Sequence, residues 1–150
     1  MMAKIEHTVI INREVDPVFD YVTNFDNLPK WYTNILESVK TSEKSKGIGT
    51  TYKGVIKAMG MTMDWTSKVT DFEENTRVDK TINSGKTIIY EKLLFDETND
   101  GNTEFNLMQD YRIGGFLRLI TPIMLFSMKQ QMKKNLANLK RIMETEGEGS

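Results

Sequence analysis

Three polar side chains on a largely apolar strand face, Lys80, Glu91 and Gln109, are the residues best placed to do chemistry. Strand alternation projects them onto the same face as Trp65, Ile82 and Leu107. A hairpin closed around Ser84-Gly85 puts Lys80 on the diagonal from Glu91, and the following hairpin puts Glu91 directly across from Gln109. Unpaired buried charges cost several kcal/mol. Inside a fold these groups must therefore be paired, hydrogen-bonded, or beside water or a ligand, which makes them candidate ligand contacts. The alternative is a sheet that curls enough to leave them at its open edge, or a pair that serves structure alone.

Other catalytic constellations are absent from the sequence. His7 is the only histidine, so a Ser-His-acid triad or a multi-histidine metal site would rest on it alone. There is no Cys, which excludes disulfides, thiolate catalysis and thiolate metal sites. The "GIG" and "GG" runs are too short and badly placed for a nucleotide-binding fingerprint. No metal and no cofactor is expected. A hydrophobic fraction of 39%, a charged fraction of 27% and a net charge of -1 are ordinary for a globular protein. They give no pull toward nucleic acid or acidic membranes. The opening MMAKIEHTVIINREV lacks an apolar signal core, so a cytoplasmic location is expected. The 150 residues suit one domain, with a core over about 4–144 and a frayed tail at 145–150. Oligomeric state stays open between monomer and dimer.

The elements that must position these residues follow from the pattern. Residues 4–12 read as a first strand. Asp16 as N-cap with Pro17 at the first helical position predicts a short helix, and Pro29 starts a second. Residues 36–42 read as a strand and 46–49 as a turn. Tyr52, Gly54, Ile56 and Ala58 then alternate inward, as do Met61, Met63, Trp65, Ser67 and Val69. A two-residue turn at Met59-Gly60 pairs Ala58 with Met61, Ile56 with Met63 and Gly54 with Trp65, so that Gly54 leaves room for the indole. A loop at 99–101 with Gly101 left-handed pairs Phe95 with Phe105, Leu93 with Leu107, Glu91 with Gln109 and Ile89 with Tyr111. Slipping this register by one would turn Asn106, Asp110 and Arg112 to the core.

Residues 114–144 read as one long helix. Met128, Met132, Leu136, Leu139 and Met143 recur at steps of four and three, and Lys129, Lys133, Lys134, Lys140 and Arg141 lie off that face. Its first half, 114–128, is apolar nearly all round (Phe116, Ile120 and Met124 among others), with Arg118 its only charge before Lys129 and Pro122 a kink or restart. At roughly 15 residues the run falls short of the ~20 needed to span a bilayer, so no stable membrane insertion is expected. Something packs on it, or a ligand does.

This order of elements, with the segments "INREVDPVFDYVTNFDNLPKWY", "KGIGTTYKG", "VTDFEENTRV" and "GGFLRLITPIMLFSMKQQMKKNLANLKRIME", resembles the START-like superfamily, also called SRPBCC, over residues 5–144. The resemblance implies an α+β helix-grip fold: a curved antiparallel sheet wrapped around a long C-terminal helix, two short helices after the first strand, and a cavity between sheet and helix. It also implies a role for Trp31, after the Pro of the second short helix, as a structural plug near the cavity entrance. Superfamily members range from lipid carriers to cyclases, so the fold leaves function open.

The first expectation is a binding protein for a hydrophobic or aromatic small molecule of lipid, polyketide or isoprenoid type. The expected lining is Tyr52, Ile56, Met61, Met63, Trp65, Ile82, Ile89, Phe105, Leu107, Phe116, Ile120 and Met124, with Lys80, Glu91 and Gln109 orienting the ligand and Trp31 at the entrance. Met59, Met61 and Met63 flank a hairpin tip, where they form either a pliable lip or a crowded core corner. The second expectation is a polyketide cyclase or dehydratase in which Glu91 acts as base and Lys80 or Tyr111 polarises a carbonyl. The third is a protein- or membrane-interaction module using the apolar 114–128 segment, with exposure of that segment as the discriminator.

Overall fold

The computed structural model describes residues 2–58, 60–114 and 122–148, with side chains up to residue 145. Seven strands form one antiparallel sheet: β1 (Met2–Ile11), β2 (Ile35–Lys40), β3 (Thr51–Ala58), β4 (Met61–Glu73), β5 (Arg77–Ser84), β6 (Thr87–Glu97) and β7 (Thr103–Arg112). Their order is β1-β7-β6-β5-β4-β3-β2, so β2 to β7 run as a meander and β1 closes on β7. Helices α1 (Val15–Thr23) and α2 (Leu28–Trp31) follow β1, and α3 (Pro122–Glu148) lies across the sheet. This is the helix-grip architecture. Gly114 lies outside the described helix, and residues 115–121 of the expected longer one are not among those described.

Of the three hairpins whose turns the sequence predicts, two keep the expected register. Ala58 pairs with Met61, Ile56 with Met63 and Gly54 with Trp65. A Cβ on Gly54 would stand 1.8 Å from the Glu37 carbonyl oxygen of β2 and 2.6 Å from the Trp65 ring. Only glycine lets β2 and the indole approach this closely. Phe95 pairs with Phe105, Leu93 with Leu107, Glu91 with Gln109 and Ile89 with Tyr111. The β5–β6 turn differs from expectation. Ser84 pairs with Thr87, leaving Gly85-Lys86 as the turn, and Lys80 stands directly opposite Glu91 rather than diagonal to it. Gly85, at φ 58°, is the first central residue of this turn, the place where a two-residue hairpin loop of type II′ requires glycine. The slip preserves parity, so every side chain keeps its face.

Helix α1 starts earlier than predicted, with Glu14 at the N-cap, and Asp16 and Pro17 fall within its first turn, where acid and proline are both tolerated. Asp16 instead accepts a 2.7 Å hydrogen bond from Asn75 Nδ2. Helix α2 holds Pro29 in its first turn, as expected. Phe19 of α1 packs edge-on against Phe95 (5.0 Å) and Phe72 (5.5 Å), fixing this helix on the sheet.

The predicted face of α3 is the buried one: Met132, Leu136, Leu139 and Met143 are all buried, and Met128 packs partly buried against the same core. Its C-terminal end is tied to the end of β1, where Lys140 Nζ donates to the Ile10 carbonyl at 2.5 Å and Glu144 Oε2 accepts from Asn12 N at 2.8 Å. Burial falls away toward the other end, where Ile123 is 80% exposed. The sheet and helix thus close tightly at one end and stand apart at the other. Among the described residues no helix is long and apolar enough to cross a membrane.

Candidate functional site

A cavity of about 430 Å³ occupies the open end. Its walls come from β3 and β4 (Ile56, Ala58, Met63), the β5–β6 hairpin (Ser84, Thr87, Ile89), the end of β7 (Gln109, Tyr111, Ile113) and the first turns of α3 (Ile123, Met124, Met128, Met132). Tyr32 and Asn34, following α2, also line it, as do Lys57 of β3 and Ser127 and Gln131 of α3. Strand alternation explains this wall: Ile56 and Met63, and Ile89 and Tyr111, are two cross-strand pairs at inward positions on four strands.

The polar end is a single connected network. Gln109 Nε2 donates to Glu91 Oε2 at 2.6 Å and to the Tyr32 hydroxyl at 3.2 Å, while the Tyr111 hydroxyl donates to Gln109 Oε1 at 2.8 Å. Behind Gln109, Lys80 Nζ lies 3.4 Å from Glu91 Oε1 and 3.8 Å from the centre of the Phe25 ring. Lys80 and Glu91 are only 4% and 6% exposed and do not line the cavity. Each charge thus has its partner inside the protein, as burial demands. Burial raises the hydroxyl pKa of Tyr32, with the Glu91 charge acting in the same direction against the opposing Gln109 hydrogen bond. Burial raises that of Tyr111 too, aided by Tyr32 and Glu91. Both phenols therefore remain protonated hydrogen-bonding groups at neutral pH.

The sequence-predicted site residues divide three ways. Ile56, Met63, Ile89, Gln109, Tyr111 and Met124 stand on the cavity wall. Lys80 and Glu91 form the sealed pair behind it. The others are elsewhere. Phe105 and Leu107 are fully buried in the packed core, and Ile82 packs partly buried against that core. Trp31 is buried edge-on to Tyr32 (5.4 Å) and Phe105 (6.4 Å). Trp65 is buried across from Gly54, and Tyr52 is buried edge-on to Phe25. Met61 is 40% exposed at the hairpin tip, away from the wall. Phe116, Ile120 and Met59 lie outside the described residues.

Several wall residues carry little signal in the sequence. Tyr32 follows Trp31 directly, and no local pattern indicates that its hydroxyl reaches a glutamine on β7. Asn135, buried on α3, accepts from Thr33 N (3.2 Å) and Gln131 Nε2 (3.0 Å) and donates to Asn34 Oδ1 (3.0 Å). Asn138 Nδ2 donates to the Lys30 carbonyl at 3.1 Å. These bonds pin the segment carrying Tyr32 to α3, across roughly a hundred residues of sequence that no periodicity connects. Strand alternation does turn Thr87 inward. Its hydroxyl is buried on the cavity wall without a hydrogen-bond partner among the described residues.

The family model described as "Polyketide cyclase / dehydrase and lipid transport" matches residues 2–144. Among solved structures, the chain is similar to the Zhui aromatase/cyclase from Streptomyces sp. R1128, at 16% identity and TM-score 0.77, covering 96% of this chain and 94% of that one. It is also similar to Ara h 8.0201, at 16% identity and TM-score 0.70, covering 95% and 98%. A third similar structure is the major latex-like protein 151 of Panax ginseng, at 13% identity and TM-score 0.73, covering 95% and 97%. At such identities the likeness is one of fold. No curated protein matches the sequence.

Proposed function

The chain belongs to the polyketide cyclase / dehydrase and lipid transport family of the START-like superfamily, and from that premise we propose that it binds a hydrophobic or aromatic small molecule between the sheet and α3. The observation that carries this reading is the 430 Å³ cavity. Its size falls within the ~300–1,000 Å³ of small-molecule sites, and half of its lining residues are aliphatic or methionine, joined by two tyrosine rings and a set of polar groups. Apolar burial supplies affinity, at about 25 cal/mol per Å² removed from water, and the Tyr32–Gln109–Tyr111 end orients the ligand. Met63, Met124, Met128 and Met132 adapt the wall to ligand shape.

Binding is favoured over catalysis by the position of Glu91. A general base must come within hydrogen-bond reach of the proton it takes. Glu91 is held behind Gln109 by Lys80 and contributes nothing to the wall. The test is native mass spectrometry of the purified protein, followed by organic extraction of whatever it carries. A stoichiometric apolar molecule that resists dialysis supports the reading. An empty protein that also ignores neutral hydrophobic probes defeats it.

A second reading, docking of the apolar 114–128 segment on a partner or a lipid surface, is favoured by Ile123 and Phe126, which are 80% and 63% exposed. Co-sedimentation with zwitterionic vesicles that is abolished by Ile123→Ser/Phe126→Ser would support it; no co-sedimentation of the wild type would remove the lipid surface.

A further inference from the structure

The direction of each hydrogen bond at the polar end is fixed by one group, the Glu91 carboxylate. Paired with Lys80 at 3.4 Å, it accepts hydrogen bonds and donates none, so the Gln109 amide must turn its Nε2 toward it. The second Nε2 proton then goes to the Tyr32 oxygen, and Gln109 Oε1 is left as the acceptor for the Tyr111 proton. Each tyrosine therefore has one remaining capacity, and the two capacities are opposite. Tyr32 has its oxygen engaged and its own proton unassigned among the described residues. Tyr111 has spent its proton and keeps a lone pair. Both rings line the cavity.

We infer that the cavity selects a ligand carrying a carbonyl-type acceptor and a hydroxyl-type donor close together on an apolar skeleton, the carbonyl taking the Tyr32 proton and the hydroxyl donating to the Tyr111 oxygen. The inference rests on the small-molecule reading above and narrows it to a hydroxy-ketone class of ligand. A ligand with a lone hydroxyl or a lone carbonyl satisfies one tyrosine and leaves the other without its hydrogen bond. In this scheme Glu91 and Lys80 are positioning residues: they never touch the ligand but set which tyrosine gives and which receives. The raised pKa of both phenols is consistent with the scheme, since an ionised tyrosine could not donate.

The test uses four probes on one skeleton, titrated calorimetrically into the full chain: naphthalene, 2-naphthol, 1-acetylnaphthalene and 4-acetyl-2-naphthol. In the wild type each matched oxygen is expected to tighten binding by about three- to tenfold over naphthalene, with the hydroxy-ketone gaining both increments. Tyr111→Phe should erase the hydroxyl increment and keep the ketone one, and Tyr32→Phe the converse. In Lys80→Met/Glu91→Gln, which removes the carboxylate together with its counter-charge, the Gln109 amide is free to turn over. Both increments should then fall to about twofold or less while naphthalene is held as before. A role of the pair in folding alone would leave the increments intact.

The inference is overturned if naphthalene binds but the hydroxy-ketone gains nothing, or if both tyrosine variants lose the same increment. If Tyr32→Phe does not fold, the wild-type ranking and Tyr111→Phe decide. Failure of all four probes to bind the wild type would overturn the small-molecule reading as well, so the two failures are distinct.

Discussion

Removing one member of the Lys80–Glu91 pair should damage this protein far more than removing both. The two side chains are 3% and 7% exposed and 3.4 Å apart, with Lys80 against the Phe25 ring and Glu91 held by Gln109. Lys80→Met leaves a buried carboxylate with a single amide donor. Glu91→Gln leaves a buried ammonium facing a ring and an amide. Breaking a buried pair in this way costs about 3–5 kcal/mol, which in a domain of this size lowers Tm by about 6–20 °C. In Lys80→Met/Glu91→Gln, the introduced thioether can pack on Phe25 while the introduced amide keeps a hydrogen bond with Gln109 whichever way the Gln109 amide is turned. The double variant should therefore lie within about 1–2 kcal/mol of the wild type. Urea unfolding of all four proteins, followed by far-UV circular dichroism, gives the coupling energy directly. Singles that cost under about 1 kcal/mol and add in the double would resemble a surface ion pair and would refute the argument that this pair is sealed inside.

Three further outcomes follow from particular contacts. Thr87→Val should stabilise the ligand-free protein by about 1 kcal/mol, because the hydroxyl it removes is buried without a partner; an unchanged or lower urea midpoint would contradict this. Gly54→Ala should destabilise by about 3 kcal/mol or more, since the new methyl meets the Glu37 carbonyl as well as the Trp65 ring; near-wild-type Tm would contradict the packing. Burial, and then the neighbouring Asp26 carboxylate, raise the Tyr52 pKa from 10.0 to about 12. A raised folded-state pKa contributes stability that is whole below 10.0 and is lost as pH rises through about 12, and Tyr32 and Tyr111 act in the same direction. The urea midpoint should fall across that alkaline window, and less steeply in Tyr52→Phe.

Much of the fold was legible because strand pairing repeats every two residues. The Gly54–Trp65 and Glu91–Gln109 pairs both follow from parity and turn chemistry, and the Met132–Leu136–Leu139–Met143 stripe follows from helical spacing. The β5–β6 slip shows where this runs out. Moving the turn from Ser84-Gly85 to Gly85-Lys86 preserves every face, so hydrophobic pattern alone cannot detect it, yet it brings Lys80 opposite Glu91. The site was legible only by face. Parity places Phe105, Leu107, Ile89 and Tyr111 on one side of the sheet alike, and whether each meets core or cavity depends on how far α3 stands off at that point. Tyr32 was invisible for another reason: its place is set by Asn135 and Asn138, side-chain bonds across elements far apart in sequence.

Whether the space between sheet and α3 takes up an apolar molecule is tested by a fluorescence titration with a neutral probe, N-phenyl-1-naphthylamine, against the wild type and Met63→Trp. Met63 stands on the cavity wall, so the larger ring can enter the 430 Å³ space instead of straining a solid core, where overpacking costs about 1–3 kcal/mol. Saturable one-to-one binding by the wild type is expected, with a variant of nearly unchanged Tm that binds at least about tenfold more weakly. Equal binding by the two proteins, or a wild type that does not bind the probe, would contradict uptake in this space.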